Sequence, residues 1–267
     1  MPLMLFWMGR DMTDPGGNMK SPSLLRTIAA MIRSLLFYIL LILSLTIGWV
    51  CLLLFSFTPF SWRQRAAYVW GNLYALAMRY ICGVKVTIAG GENLSHCPAV
   101  LIAKHESAWE TMFFQSLILK MVVLYKQELN KIPVYSYTMR LLDYIAIDRK
   151  AGKKALRTLI DEGSQRLNNG ISVLIFPEGT RAKIGEDPPF FAGGAFLAKK
   201  AGYPIIPIAF ESGKCWPKGW VIYPGKIQMV IGQPLSTKDK SATEINEITY
   251  QWMKTTMKHI RSDAKDV

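Results

Sequence analysis

The 267-residue chain carries 32 Lys and Arg against 19 Asp and Glu, a net charge of +13. Its length fits one globular domain plus a membrane segment, and 51% hydrophobic with 12% aromatic residues excludes a disordered basic tail. Nucleic acid and anionic phospholipid headgroups both suit such a balance, but no aromatic-and-basic nucleic-acid motif is present, and an apolar N-terminal run favours the membrane.

Residues 1–20 are expected to be a flexible tail, with Met1, Met4, Met8, Met12 and Met19 strung through it and Pro15-Gly16-Gly17-Asn18 breaking any helix. Residues 21–83 are expected to anchor the chain. Ser34 to Trp62 contains no charge, and Leu35 to Phe57 is almost wholly apolar. As a helix that core is about 34 Å long, enough to cross the hydrocarbon layer. The run ends in Phe55-Ser-Phe-Thr-Pro-Phe60, which offers no small-residue cleavage site, so the segment is expected to stay attached. Basic residues flank both ends (Arg10, Lys20, Arg26 and Arg33 before; Arg63, Arg65, Arg79 and Lys85 after), so charge asymmetry does not choose an orientation. Trp62, Ala66, Val69, Leu73, Leu76 and Tyr80 recur at helical spacing beyond Pro59. Two arrangements fit equally: a single span, or an apolar helix and an amphipathic one dipping into one leaflet and returning.

Residues 84–267 change character to short apolar runs alternating with helical periods. Strands are predicted at Val84–Ala89, Pro98–Ala103, Met121–Tyr125, Tyr144–Ile147, Ser172–Phe176, Ile205–Phe210 and Ile227–Ile231. Ala155, Leu156, Leu159, Ile160, Gly163 and Leu167 mark a helix stopped by Asn168-Asn169-Gly170. Ser241 and Glu244 have the spacing of a capping box, opening a last helix with Ile245, Ile248, Trp252, Met253, Met257 and Ile260 on its apolar side. Strands interleaved with helices imply an α/β fold on a mostly parallel sheet flanked by helices.

Two motifs carry chemistry. His105 and Glu110, in Lys104-His-Glu-Ser-Ala-Trp-Glu110, directly follow the second strand, and ligands in α/β folds gather at the carboxyl ends of strands. Residues five apart do not share a helix face, so His105 has to sit at or before the helix start for Glu110 to reach it. Glu110 can then orient the ring, fix its tautomer and stabilise imidazolium, with the substrate's own hydroxyl as nucleophile. Ser107 is a rival nucleophile, but no Gly-x-Ser-x-Gly elbow surrounds it and helix capping suits it better. The second motif is Phe176-Pro-Glu-Gly-Thr-Arg181, a sharp loop in which Arg181 can fork onto a phosphate, with Thr180 and loop amides as further donors. Glu178 can bond the polar head of a substrate or hold the loop. His96 and His259, the remaining histidines, read as surface residues, and three histidines argue against a metal site. Cys51, Cys82, Cys97 and Cys215 show no paired spacing and read as free thiols.

With these motifs in place, the chain resembles the membrane-bound glycerolipid acyltransferases, most closely bacterial 1-acylglycerol-3-phosphate acyltransferases. The resemblance covers roughly residues 60 to 235 in four ordered blocks. The first holds His105 and Glu110. The second runs from Lys126-Gln-Glu-Leu129 and Ile132-Pro133 to Tyr144-Ile-Ala-Ile-Asp148-Arg149, the third is Phe176 to Arg181, and the fourth is Tyr203-Pro204-Ile-Ile-Pro207-Ile-Ala-Phe210. The resemblance implies a glycerol-3-phosphate acyltransferase-like fold and transfer of an acyl group from acyl-coenzyme A or acyl carrier protein to the sn-2 hydroxyl of lysophosphatidic acid, giving phosphatidic acid, with no cofactor. It makes His105 the general base, Glu110 its orienting acid, and Glu178, Gly179, Thr180 and Arg181 the acceptor phosphate region, with Lys126 and Arg149 as further substrate-binding residues. It places the enzyme in a bacterial inner membrane with its catalytic domain on the cytoplasmic side. Another lysophospholipid or glycerol-3-phosphate is the alternative acceptor, and a non-catalytic lipid-binding membrane protein the alternative class. Two positions depart from the family pattern: Glu110 replaces the commoner aspartate, and Phe191 stands where relatives often carry a basic residue, which suggests lipid or acyl-chain contact there.

Overall fold

The computed structural model describes residues 24–263 apart from positions 55 and 187, so the expected tail at 1–20 lies outside the described residues. The strands are β1 (Val84–Ala89), β2 (Val100–Ala103), β3 (Met121–Lys126), β4 (Ile145–Ile147), β5 (Ser172–Ile175), β6 (Ile205–Phe210) and β7 (Gly225–Ile231). They are the predicted stretches, with ends shifted by no more than about two residues, the usual scatter of element boundaries. They form one sheet in the order β1-β7-β6-β2-β5-β3-β4, parallel throughout except where β6 meets β7.

The helices are α1 (Leu24–Leu54), α2 (Phe60–Tyr80), α3 (Trp109–Phe113), α4 (Pro133–Leu141), α5 (Lys153–Asn168), α6 (Gly193–Ala201) and α7 (Ala242–Asp263). The central strands β2, β5 and β6 are buried along their whole length, as their unbroken apolar runs require of parallel strands covered on both faces. On one face Leu101, Ala103, Leu174, Ile206 and Ile208 pack with Tyr74, Met78, Trp109 and Phe114. On the other, Val100, Ile102, Val173 and Ile175 pack with Leu159, Leu167, Ala195 and Leu197 of α5 and α6. The alternation along each strand sends neighbouring residues to opposite cores.

The predicted helix stops and starts are made as the sequence suggests. Helix α5 ends at Asn168, and Gly170 takes φ 75° while its N–H bonds back to Leu167. At α7 the Ser241 N–H donates to Glu244 and the Glu244 N–H donates to the Ser241 hydroxyl, a reciprocal capping box.

Helices α1 and α2 form an antiparallel hairpin. Trp70 Nε1 donates to Ser44 Oγ at 3.3 Å, and the Phe37 and Tyr74 rings meet edge to face at 5.8 Å. The N-terminal half of α1 rests on the domain: the Ile222 N–H donates to Ser34 Oγ at 2.8 Å, and Phe37 meets Trp216 at 6.0 Å. Both ends of the hairpin therefore lie on the same side, against the sheet-bearing domain. Most large apolar side chains of α1 from Leu40 to Leu54 are exposed. On α2 the residues facing the domain are Gln64, Gly71, Tyr74 and Met78, while the apolar stripe predicted from spacing points outward, with Trp62, Val69, Leu73, Leu76 and Tyr80 between 49% and 75% exposed. Gly71 allows this close approach, since a Cβ there would stand 2.7 Å from the Gln115 backbone. An outward apolar face of this size marks a surface that meets something other than water.

Candidate active site

Parallel strands β2, β3, β4 and β5 end along one edge of the sheet, where open α/β sheets place their ligands. Strand β2 delivers Lys104 and His105, β3 ends at Lys126, β4 leads to Asp148 and Arg149, and β5 leads into Phe176–Arg181.

His105 stands in the turn before α3, and its Nδ1 lies 3.0 Å from Glu110 Oε1. The Glu110 carboxylate is fully buried and held by four further donors. Its Oε1 accepts from the Glu106 and Ser107 N–H groups at 2.6 and 2.7 Å, and its Oε2 from the Ser107 and Ser212 hydroxyls at 2.6 and 2.9 Å. This donor set satisfies both oxygens of a carboxylate held in an apolar surround. With Nδ1 turned to Glu110, Nε2 is the nitrogen left to face a substrate. The His105 side chain is 16% exposed, reachable from one side, and its ring stacks on Phe176 at 4.4 Å.

Ser107 is buried, accepts the Trp109 N–H and donates to Glu110. It is thus both a helix-start acceptor and a carboxylate ligand, and its burial gives it no access as a nucleophile.

The Phe176–Arg181 loop is fastened to the same turn. The Ala182 N–H donates to the His105 carbonyl at 2.8 Å, and Lys104 Nζ pairs with Glu178 Oε1 at 2.5 Å, both side chains almost fully buried. Burial nevertheless raises the Glu178 carboxyl above its ordinary value, with Lys104 opposing the shift. Glu178 therefore holds the loop rather than facing solvent.

Gly179 makes the loop's sharp reversal at φ 68°, and a Cβ there would stand 3.2 Å from Arg149 Nη1 and 3.5 Å from the Phe191 ring. Arg149 of the second block thus reaches over the third. Its side chain is exposed, yet partial desolvation on the loop side lowers its guanidinium pKa below the ordinary arginine value, with the charge of Glu128 opposing. Among the described residues, neither Arg149 nor Arg181 has a carboxylate within ion-pair distance. Arg181 and Thr180 are exposed, and Arg181 lies within electrostatic reach of Tyr38 on α1. Lys126 is about half exposed and pairs with Glu128 at 3.3 Å. Phe191 is 62% exposed at the loop's rim.

Several participants had no motif to mark them. Lys104 and Glu106 flank His105, but only the fold shows that the first meets Glu178 and that the second bonds the Gly213 N–H and Arg261. Burial pushes the Glu106 carboxyl up to about 7, eased by Gly213, Lys104 and Arg261 and reinforced by Glu211. Ser212 arrives from the end of β6. His96 and His259 are exposed, and the four cysteines are free thiols, with burial pushing Cys215 up to about 11. No group of described residues could hold a metal ion.

A family model described as "Acyltransferase" matches residues 85–211, spanning β1 to the end of β6. The 1-acyl-sn-glycerol-3-phosphate acyltransferase of Pseudomonas aeruginosa is 38% identical over 86% of this chain and 91% of its own length. The enzyme of the same name from Cocos nucifera is 28% identical over 75% of this chain and 66% of its own. In three dimensions the chain is similar to the 1-acyl-sn-glycerophosphate (LPA) acyltransferase PlsC of Thermotoga maritima, at a TM-score of 0.74, 22% identity, and 88% and 98% of the two chains covered. By fold, motifs and sequence identity alike, the chain belongs to the acyltransferase family, among the 1-acyl-sn-glycerol-3-phosphate acyltransferases.

Proposed function

We propose that the chain transfers an acyl group from a thioester donor, acyl-coenzyme A or acyl carrier protein, to the sn-2 hydroxyl of lysophosphatidic acid at a membrane surface. The observation that supports it best is a histidine–carboxylate pair beside two arginines without carboxylate partners among the described residues. His105 Nε2 takes the hydroxyl proton as the alkoxide oxygen attacks the thioester carbonyl. Glu110, accepting from Nδ1–H, holds the tautomer and stabilises the imidazolium. The tetrahedral intermediate collapses with expulsion of the thiolate, which takes the proton back from His105. Arg149 and Arg181 bind the acceptor phosphate with Thr180 and the loop at Gly179, and Lys126 stands farther out as a supporting charge. Glu178 contributes through the loop it anchors. Initial rates on purified membranes with a panel of lysophospholipids and glycerol-3-phosphate test the reading. Lysophosphatidic acid should be the preferred acceptor, and equal or faster turnover of a zwitterionic lysolipid would overturn the phosphate assignment.

The hairpin is proposed to enter one leaflet rather than to span the bilayer. A span would carry Arg33 and Ser34 across, away from the domain that Ser34 bonds. The exposed stretch from Leu40 to Leu54 is about 22 Å long, short of the roughly 30 Å of hydrocarbon in a full bilayer. The outward stripe of α2 would lie among acyl chains, with Arg63, Arg65, Arg79 and Lys85 toward anionic headgroups. Because both donors are cytoplasmic, the domain from Gly83 onward is placed on the cytoplasmic face of a bacterial inner membrane. A reporter fused after Val267 should read as cytoplasmic, and a periplasmic signal would remove the donor assignment.

A further inference from the structure

We propose that Ser212 is a positioning residue for the His105–Glu110 pair, an inference that rests on the general-base reading above. Strands β2 and β6 are parallel neighbours, so their ends lie side by side at the edge of the sheet. β2 runs into the turn that carries His105 and Glu110, and β6 runs into Glu211-Ser212-Gly213.

The two segments are joined three times. Ser212 Oγ lies 2.9 Å from Glu110 Oε2 and 2.9 Å from Ser107 Oγ, linking positions 102 and 105 apart in the chain. The Gly213 N–H donates to Glu106 Oε2 at 3.2 Å. Arg261 of α7 bridges Glu106 and Glu211 at 3.4 and 3.1 Å. Ser212 has no exposed surface, so it cannot touch a substrate. Its hydroxyl can act only through the carboxylate it holds.

That hold has two consequences. The Glu110 donors other than Ser212 all come from the turn containing His105, and they constrain Oε1 more than Oε2. Ser212 ties Oε2 to a different strand and so fixes the carboxylate plane that presents Oε1 to Nδ1. Its donated bond also spreads the carboxylate charge away from the imidazole. Without it Glu110 is more basic toward Nδ1, imidazolium is favoured, and His105 stays protonated to higher pH. The other charged or titratable groups around the pair are Lys104 and Glu106 on the turn, Glu178 beyond β5, Tyr74 on α2, Glu211 at the end of β6, and Arg261 on α7. None of these is altered by changing Ser212.

The test compares wild type, Ser212→Ala and Ser212→Thr in acyl transfer to lysophosphatidic acid, with His105→Ala as control. Ser212→Ala should lose roughly tenfold in kcat, the scale of one hydrogen bond to a charged group. Both KM values should stay within about twofold, and the acidic limb of kcat/KM should move to higher pH. Ser212→Thr, which keeps the hydroxyl, should restore the limb. Because the site is closed and threonine is larger, a second measurement stands apart from it: the His105 ring titration by NMR, identified as the resonance missing in His105→Ala. It should shift to higher pH in Ser212→Ala. An unmoved titration and pH limb, whatever the melting temperature does, would show a packing role only and end the proposal. An active His105→Ala would instead remove the general-base reading, so the two failures are distinguishable.

Discussion

Replacing His105 with alanine should lower acyl transfer by roughly 10²–10⁴-fold, the usual contribution of a positioned general base. The protein should nevertheless remain folded. Glu110 would lose one donor but keep those from the Glu106 and Ser107 amides and the Ser107 and Ser212 hydroxyls, so its buried charge is not left without partners. The loop link from the Ala182 N–H runs to the His105 carbonyl, which alanine also supplies. The main packing loss is the ring stack on Phe176, at a side chain already partly open. Initial rates beside a thermal melt decide the matter. Turnover within tenfold of wild type would exclude His105 as the base, whereas a large fall in melting temperature would assign the loss to the fold.

The sheet was legible because its strands are short apolar runs bounded by turn residues, and burial on both faces leaves few other uses for Ile205–Phe210 or Ser172–Ile175. The turn geometry at His105 was also legible, since a five-residue separation forbids a shared helix face. What one sequence does not contain is the pairing of distant segments. Lys104 with Glu178, Arg149 beside Gly179, and Ser212 on Glu110 each join positions set by strand order, and no spacing rule links β4 to the loop after β5. The sequence allows two arrangements of the hairpin for a similar reason. Basic residues flank both ends, and only the Ser34–Ile222 bond and the Phe37–Trp216 contact show that α1 starts on the side where α2 returns. Helical spacing found the apolar stripe of α2 but could not give its direction. The inward face is instead Gln64, Gly71, Tyr74 and Met78, where a glycine and a hydrogen-bonded glutamine serve close packing.

Arg149→Ala and Arg181→Ala should each weaken apparent affinity for lysophosphatidic acid by roughly tenfold to a hundredfold, the scale of a charge-assisted bond to phosphate. The donor KM should change less. Both side chains are exposed, and Arg149 stands over Gly179 at the loop's reversal beside Arg181, so the two effects should be of similar size. Lysine at either position should recover only part of the loss, because an ammonium supplies charge without the planar fork. Structural collapse of the loop is not expected to imitate this result. The loop is held by the Lys104–Glu178 pair and the Ala182–His105 bond, and neither arginine has an ion-pair partner among the described residues to strand when it is removed. Acceptor saturation curves at constant donor, repeated with the donor varied, separate the two KM values. If both variants keep the wild-type acceptor KM, the phosphate does not lie at the Gly179 loop, and Lys126 at the end of β3 becomes the next position to test. If only Arg181 matters, the acceptor sits toward α1 and Tyr38, on the hairpin side of the loop.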